Sequence, residues 1–434
     1  MIKLIVIADD ITGALDAGVQ FSKAGTPTFV STNAQVAFNK MNSEFEVLVL
    51  DLETRHLSPA MAKAKVSEIA ALAQKAGIPY LYKKTDSVMR GNIGSELDGL
   101  FLDEDHGPLA FVPAYPETGR TTHRGIQYIS GIPITQSVFG KDPFSPVLDD
   151  YVPDIIARQT SRETKVVTQE ELINFTAESE KGKILIFNAT SKEEMRSTAA
   201  AITRMGPPKL LAGCAGFAGY LPEMLNLRQV KQETHQLDTG LLIICGSINA
   251  MTLEQVRYAS RHGFTVIELT PEQKLNSSLA ETDEGQALLR QLRQQYSINQ
   301  RLIIQAASDD GNVERTNRLA ADMGLDLNQS REYIAANIGK LVGALMPNIQ
   351  VNNLAVFGGD TLLSVIRAIG EDGIYPICEV EDGIVHSALM FKGSRMSLIT
   401  KSGGFGKHNC VLQIEEYIQK HSKINAERGD KIHG

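Results

Sequence analysis

The 434-residue chain is poor in cysteine: Cys214, Cys245, Cys378 and Cys410 stand far apart and form no CxxC pair. That spacing argues against a structural zinc site and against a disulfide framework, and it suits a reducing, cytoplasmic setting. Long hydrophobic runs are also missing. The opening MIKLIVIADD has five or six apolar residues before two aspartates, too few for a signal peptide and far short of the ~20 of a membrane span. No Lys/Arg-rich block appears and the formal net charge is -8, which excludes the usual nucleic-acid binder while allowing a local basic pocket for a small anion. Four catalytic signatures are absent as well. Without GxxxxGK[ST] the chain is not a Walker-type NTPase. Without GxGxxG after a strand a dinucleotide dehydrogenase is disfavoured, and without GxSxG an α/β-hydrolase is. The nine histidines show no HExxH or other paired spacing, and none is assigned to a metal.

What is present is ordinary globular composition, 43% hydrophobic and 22% charged, with length for two domains. Apolar runs of strand length, such as Leu4–Ala8, Val47–Asp51, Leu109–Val112 and Ile184–Phe187, alternate with amphipathic stretches of helix length. This pattern predicts an α/β fold of two domains, each a mainly parallel sheet flanked by helices. The alternation pauses in the polar stretch Asn226–Thr239, which places a boundary between residues 1–230 and 231–434. Ligands of such sheets bind beyond the carboxyl ends of the strands, so the polar residues that follow each strand become the candidates.

In the first half these residues form four clusters. Asp9-Asp10-Ile11-Thr12-Gly13 puts two carboxylates between a strand and a helix. Arg55 follows the strand that ends at Asp51 and can fork onto a carboxylate. Lys83-Lys84-Thr85-Asp86-Ser87, continuing to Arg90, Gly91 and Asn92, packs cations, an acid and hydroxyls in front of a helix, a pattern suited to an anion. Gly119-Arg120-Thr121-Thr122 forms the fourth. Each has a plainer reading as a strand-to-helix turn or a solvated loop. Together they offer carboxylates for hydroxyl groups and Arg and Lys for an acid group, which is what a small hydroxy acid requires.

The second half carries three glycine turns after strands: Cys245-Gly246-Ser247-Ile248-Asn249, Phe357-Gly358-Gly359-Asp360-Thr361 and Lys401-Ser402-Gly403-Gly404-Phe405-Gly406. One such turn often just ends an element. Three in one domain favour a phosphate site built from backbone N–H groups.

These runs, in this order and over nearly the whole chain, resemble the four-carbon acid sugar kinases, bacterial enzymes that phosphorylate threonate, erythronate or 3-oxo-tetronate at the terminal hydroxyl. The resemblance implies an acid-sugar-binding domain followed by a nucleotide-binding domain. It places substrate contacts at Asp10, Arg55, Lys84, Thr85, Asp86 and Ser87, with Asp10 and Asp86 as the catalytic candidates. It places ATP contacts at Ser247, Gly358, Gly359, Asp360, Thr361 and Gly404. ATP and Mg²⁺ are the expected cofactors, and a small sugar acid the expected partner; homo-oligomerisation is left open. The run Lys84–Ser87 with Arg90-Gly91-Asn92 is closer to the threonate/erythronate branch. Leu15, Ala17, Val88 and His123 depart from residues common in the family and keep the identity of the acid open. On this reading Arg55 and Lys84 hold the substrate carboxylate, Asp10 and Asp86 hold its hydroxyls, and the two domains close for transfer. A 3-oxo-tetronate kinase, a sugar-acid aldolase, dehydratase or dehydrogenase, and a non-catalytic sensor are the competing readings.

Overall fold

Short apolar runs become buried strands because a helix of so few residues would leave its N–H and C=O groups unpaired, whereas a sheet pairs them with neighbouring strands. The computed structural model describes residues 1–34, 38, 44–103, 107–141, 146–173, 175–176, 180–231 and 237–429. They divide into two units, Met1–Lys231 and Gln232–Gly434. Residues 232–236, inside the polar stretch singled out above, lie outside the described residues.

The first unit contains β1 (Leu4–Ala8), β2 (Thr28–Ser31), β3 (Val47–Asp51), β4 (Tyr80–Lys84) and β5 (Leu109–Val112). It also contains β6 (Arg120–His123), β7 (Ile126–Ile129), β8 (Ile132–Pro133), β9 (Thr164–Val167), β10 (Ile184–Phe187) and β11 (Leu210–Gly213). The main sheet has the order β2-β3-β1-β4-β11-β5-β10-β9, each described pairing parallel. β6, β7 and β8 form a separate antiparallel sheet. The longest described helices of this unit begin where the chain supplies a cap. Asp10 accepts from Gly13 N ahead of Ile11–Lys23, Ser58 caps Pro59–Lys75, and Ser191 caps Lys192–Arg204.

The second unit contains β12 (Leu241–Cys245), β13 (Thr265–Glu268), β14 (Arg301–Gln305), β15 (Asn353–Phe357), β16 (Gly373–Glu381), β17 (Ile384–Phe391) and β18 (Ser394–Lys401). Its order is β13-β14-β12-β15-β18-β17-β16, parallel up to β18 and antiparallel through β17 and β16. The fold is thus α/β with mainly parallel sheets, as expected. The hairpin of β16 and β17 was not anticipated. β16 is largely half-buried and lacks a continuous apolar run. In β17 the polar pair His386-Ser387 sits in a buried stretch, and His386 is satisfied by Ser397 Oγ (3.1 Å) and Tyr417 Oη (2.9 Å).

Both units share a connection pattern that locates their ligand edges. In each, the first strand is flanked by the third on one side and the fourth on the other: β3-β1-β4 and β14-β12-β15. The chain reverses its direction of travel beside the first strand, which opens a crevice at its carboxyl end. Among the described residues, no helix is long and apolar enough to cross a membrane.

Candidate functional site

Sheet register decides which of the sequence clusters meet. In the first unit Ala8 is level with Asp51 and Lys84, Lys84 with Gly213, and Gly213 with Val112. The clusters after β3, β1 and β4 therefore sit side by side. The cluster after β5 is one strand further on, with β11 between. The triplet Arg120-Thr121-Thr122 lies in the strand β6. Thr122 is buried and its hydroxyl donates to Gln127 Oε1 (2.6 Å), while Gln127 Nε2 donates to Ser87 O (3.1 Å).

Arg55 is the hub of the first unit's cluster. Its Nε donates to Asp9 Oδ2 (2.7 Å), its Nη1 to Asp10 Oδ2 (2.6 Å), and its Nη2 lies 3.9 Å from Asp86 Oδ1. Asp86 is gripped from the other side by Arg90, through Nε (2.9 Å), Nη2 (3.0 Å) and the backbone N (3.1 Å). The tight turn that makes this grip possible closes with Met89 N donating to Asp86 O, and Met89 takes a positive φ of 64°. Asp10 also accepts from Thr12 Oγ1 and Gly13 N, both at 2.8 Å. A Cβ on Gly13 would lie 2.6 Å from Asp10 Oδ1 and 2.9 Å from Lys84 Nζ, so the glycine makes room for both groups. Lys84 is buried and donates to Thr85 O (2.9 Å). Thr85 Oγ1 and Asp9 Oδ1 are buried without a hydrogen-bond partner, a cost that a polar ligand at this edge would relieve.

The electrostatics follow from this geometry. Burial pushes the Asp10 carboxyl upward, but Arg55 and Lys84 outweigh it and hold Asp10 below its ordinary value. Burial acts the same way on Asp86, and Arg90 with Arg55 overcomes it and holds Asp86 far below the carboxylate range. Both acids are charged acceptors at neutral pH. Arg55 is buried among three acids, which raise its pKa well above normal against the cost of desolvation. The substrate carboxylate expected at Arg55 would therefore meet a guanidinium already engaged with the protein's own acids.

A deeper layer supports the hub. The ammonium of Lys83 and the carboxylate of Glu96 face each other at 3.2 Å, almost fully buried. Glu96 also accepts from the Thr54 hydroxyl, and Asn92 Nδ2 donates to Thr54 O and Leu57 O, both at 2.9 Å. Lys83, Glu96 and Asn92 thus fix the segment that carries Arg55. Sequence reasoning listed Lys83 and Asn92 without a role and missed Glu96. The one signal for Glu96 was a carboxylate on the otherwise small and apolar face of Ile93–Gly99.

In the second unit Cys245 is level with Phe357, and Phe357 with Lys401. The three glycine turns thus follow three adjacent parallel strands, spaced about 4.8 Å apart. Their contact is close. Gly246 N and Ser247 N donate to Phe357 O (3.1 and 3.2 Å), and Gly358 N to Lys401 O (3.2 Å). A Cβ on Gly246 would lie 1.8 Å from Thr361 Oγ1, and Gly358 has φ 113°, so neither position admits a side chain without strain. Asn249 caps Ala250–Arg261, and Gly358 precedes Gly359–Ala368. Two helix N-termini therefore open at the turns and present first-turn N–H groups, the arrangement that binds phosphate. Ser247, Gly358, Gly359, Asp360, Thr361 and Gly404 all belong to this edge. Gly404 is exposed, Thr361 is buried, and Asp360 pairs with Arg331 at 3.0 Å.

Two family models match the chain in succession. The model of a "Sugar-binding N-terminal domain" matches residues 4–221, and that of a "Nucleotide-binding C-terminal domain" matches residues 242–411. The chain is 26% identical over 431 residues to a D-threonate kinase of Salmonella typhimurium, covering 96% of this chain and 99% of that protein. It is 25% identical over 442 residues to a D-erythronate kinase of Heliobacterium modesticaldum, covering 96% and 97%. A solved structure from Salmonella typhimurium LT2 has the same fold, with a TM-score of 0.78 at 21% identity, covering 96% of this chain and 99% of that one.

Proposed function

Because this chain belongs to the four-carbon acid sugar kinase family, we propose that it transfers the γ-phosphoryl group of ATP to the terminal hydroxyl of D-threonate or D-erythronate. The observation that carries the reading is the set of three glycine turns on adjacent parallel strands with two helix N-termini among them. Phosphoryl transfer asks mainly for positioning and charge neutralisation. Ser247, Gly358 to Thr361 and Gly404 hold the phosphates. In the other unit Asp10 and Asp86 accept hydrogen bonds from the substrate hydroxyls. One of them takes the proton of the terminal hydroxyl as its oxygen bonds to phosphorus and ADP leaves. Lys84 supplies charge to the acid group, and Arg55 holds the two catalytic carboxylates in place while offering its remaining edge to the same group.

Among the described residues, no group of three His, Cys, Asp or Glu side chains is arranged to hold a metal. Mg²⁺ is usually held by one or two carboxylates together with substrate phosphates rather than by a protein cage. Asp360 is the carboxylate at the turns and would be its protein ligand. When bound, the ion supplies charge neutralisation on the phosphates.

Coupled ADP release with the purified protein, ATP and a panel of D- and L-threonate, D- and L-erythronate and 3-oxo-tetronate tests the proposal. The expected result is turnover with D-threonate or D-erythronate and a 4-phosphate product by phosphorus NMR. ADP release that no acid stimulates would sink the kinase reading, and turnover confined to 3-oxo-tetronate would sink the choice of acid.

A further inference from the structure

Lys401 ends β18, and its side chain lies under the glycine turns, with the residue only 1% exposed. Its ammonium donates to Ser402 O, Gly403 O and Thr252 Oγ1, each at 3.1 Å, and sits 5.3 Å from the centre of the Phe357 ring. Thr252 Oγ1 in turn donates to Gly403 O (2.6 Å). The titratable groups facing Lys401 are the thiols of Cys245 and Cys410, each pushed up to about 12 by burial and therefore neutral. Among the described residues, no carboxylate pairs with it. Thr252 belongs to the first turn of Ala250–Arg261, so the nearest helix end is also positive. A buried cation with no counter-charge is costly, and burial accordingly lowers the pKa of Lys401.

The carbonyls drawn to this ammonium have a second consequence. No described peptide bond is cis, and in a trans peptide the N–H points opposite to the C=O. With Ser402 O and Gly403 O turned toward Lys401, the N–H groups of Gly403 and Gly404 point away from it.

We infer that Lys401 is the fixed charge and positioning residue of the nucleotide's phosphate site. It aims the Gly403 and Gly404 N–H groups outward from below, and the phosphates supply the anion that the protein itself does not. The inference rests on the reading of the turns as a phosphate site. It assigns Lys401 no part in binding the sugar acid.

The test is calorimetric binding of ATP, ADP and adenosine to Lys401→Met, with melting temperature as the control for folding. Affinity for ATP is expected to fall at least roughly tenfold, ADP less, and adenosine less than about twofold; the KM for the acid stays unchanged. Unchanged ATP affinity, or equal losses for ATP and adenosine, overturns the inference. If Lys401→Met does not fold, Thr252→Val removes the hydroxyl shared by Lys401 and Gly403. A roughly threefold or greater loss for ATP relative to adenosine then supports the role, and an unchanged ratio overturns it. Gly359→Val separates the two levels. If it leaves ATP binding intact, the phosphate-site reading itself fails, whereas its loss beside an unaffected Lys401→Met condemns only the role of Lys401.

Discussion

Asp86→Asn is the sharpest probe of the acid-binding half. The carboxylate receives three hydrogen bonds from Arg90 and lies within ion-pair distance of Arg55. The amide keeps the shape but loses the charge, and its NH₂ must face a guanidinium that only donates. Breaking one side of a buried charged pair costs about 3 kcal/mol or slightly more. For a unit of this size that is a fall in melting temperature of about 6–12 °C, within the 5–15 kcal/mol, roughly, that a domain has available. The fold should survive. On the proposed mechanism Asp86 accepts a substrate hydroxyl, and losing an acceptor that takes the reacting proton is worth about 10²–10⁴ in rate, so kcat should drop by that factor at saturating ATP and acid if Asp86 is that acceptor. Arg90→Met is the control. It removes the two side-chain hydrogen bonds to Asp86 but leaves the carboxylate, its bond from the backbone N of residue 90 and its ion pair with Arg55, and its kcat should fall less than about tenfold. The pH dependence adds a constraint. A carboxylate whose folded pKa is depressed contributes stability above its unfolded pKa and loses it only as pH falls through the lower folded value. Asp86, held down by Arg90 and Arg55 against burial, should therefore add no titration to kcat between pH 5 and 8. Coupled ADP release and thermal melts on both variants decide the matter. Near-wild-type turnover in Asp86→Asn, or equal losses in the two variants, would refute the reasoning.

Three further outcomes are expected. Gly246→Ala drives a methyl into Thr361 Oγ1 and should raise the KM for ATP while destabilising the protein by about 1–3 kcal/mol; an unchanged KM argues that the two turns do not act together. Lys83→Met strands Glu96 in the interior and should cost about 3–5 kcal/mol by chemical denaturation, most of it recovered in Lys83→Met/Glu96→Gln; a double variant no better than the single would show that the pair is not what holds the Arg55 segment. Lys274 is buried and its pKa is pushed down to about 8 by desolvation against the pull of Glu268. Between that value and its unfolded pKa the unfolded chain binds more protons, so the wild type gains stability as pH rises there. Lys274→Met should lack this gain in melts taken from pH 8 to 10, and parallel curves would count against it.

Much of the fold was legible in the chain because local physics dictates it. Leu4–Ala8, Val47–Leu50 and Ile184–Phe187 are continuous apolar runs of a length that suits a buried strand, whereas the helix caps at Asp10, Ser58 and Asn249 came only with the structure. The candidate site was legible to the same extent: polar and glycine clusters after strands could be listed without knowing which strands are neighbours. Only tertiary structure decided how they combine. Strand order places the ends of β3, β1 and β4 in one row and sets the β5 cluster apart, and it turns Arg120-Thr121-Thr122 into a strand edge. Register brings Arg55 onto Asp9, Asp10 and Asp86, residues up to 46 positions away, and it sets Lys401 under Thr252, 149 positions away. A composition of acids and bases determines that charges must be paired or answered by a ligand. Which charge answers which is a matter of distance in three dimensions, and no periodicity along the chain encodes it.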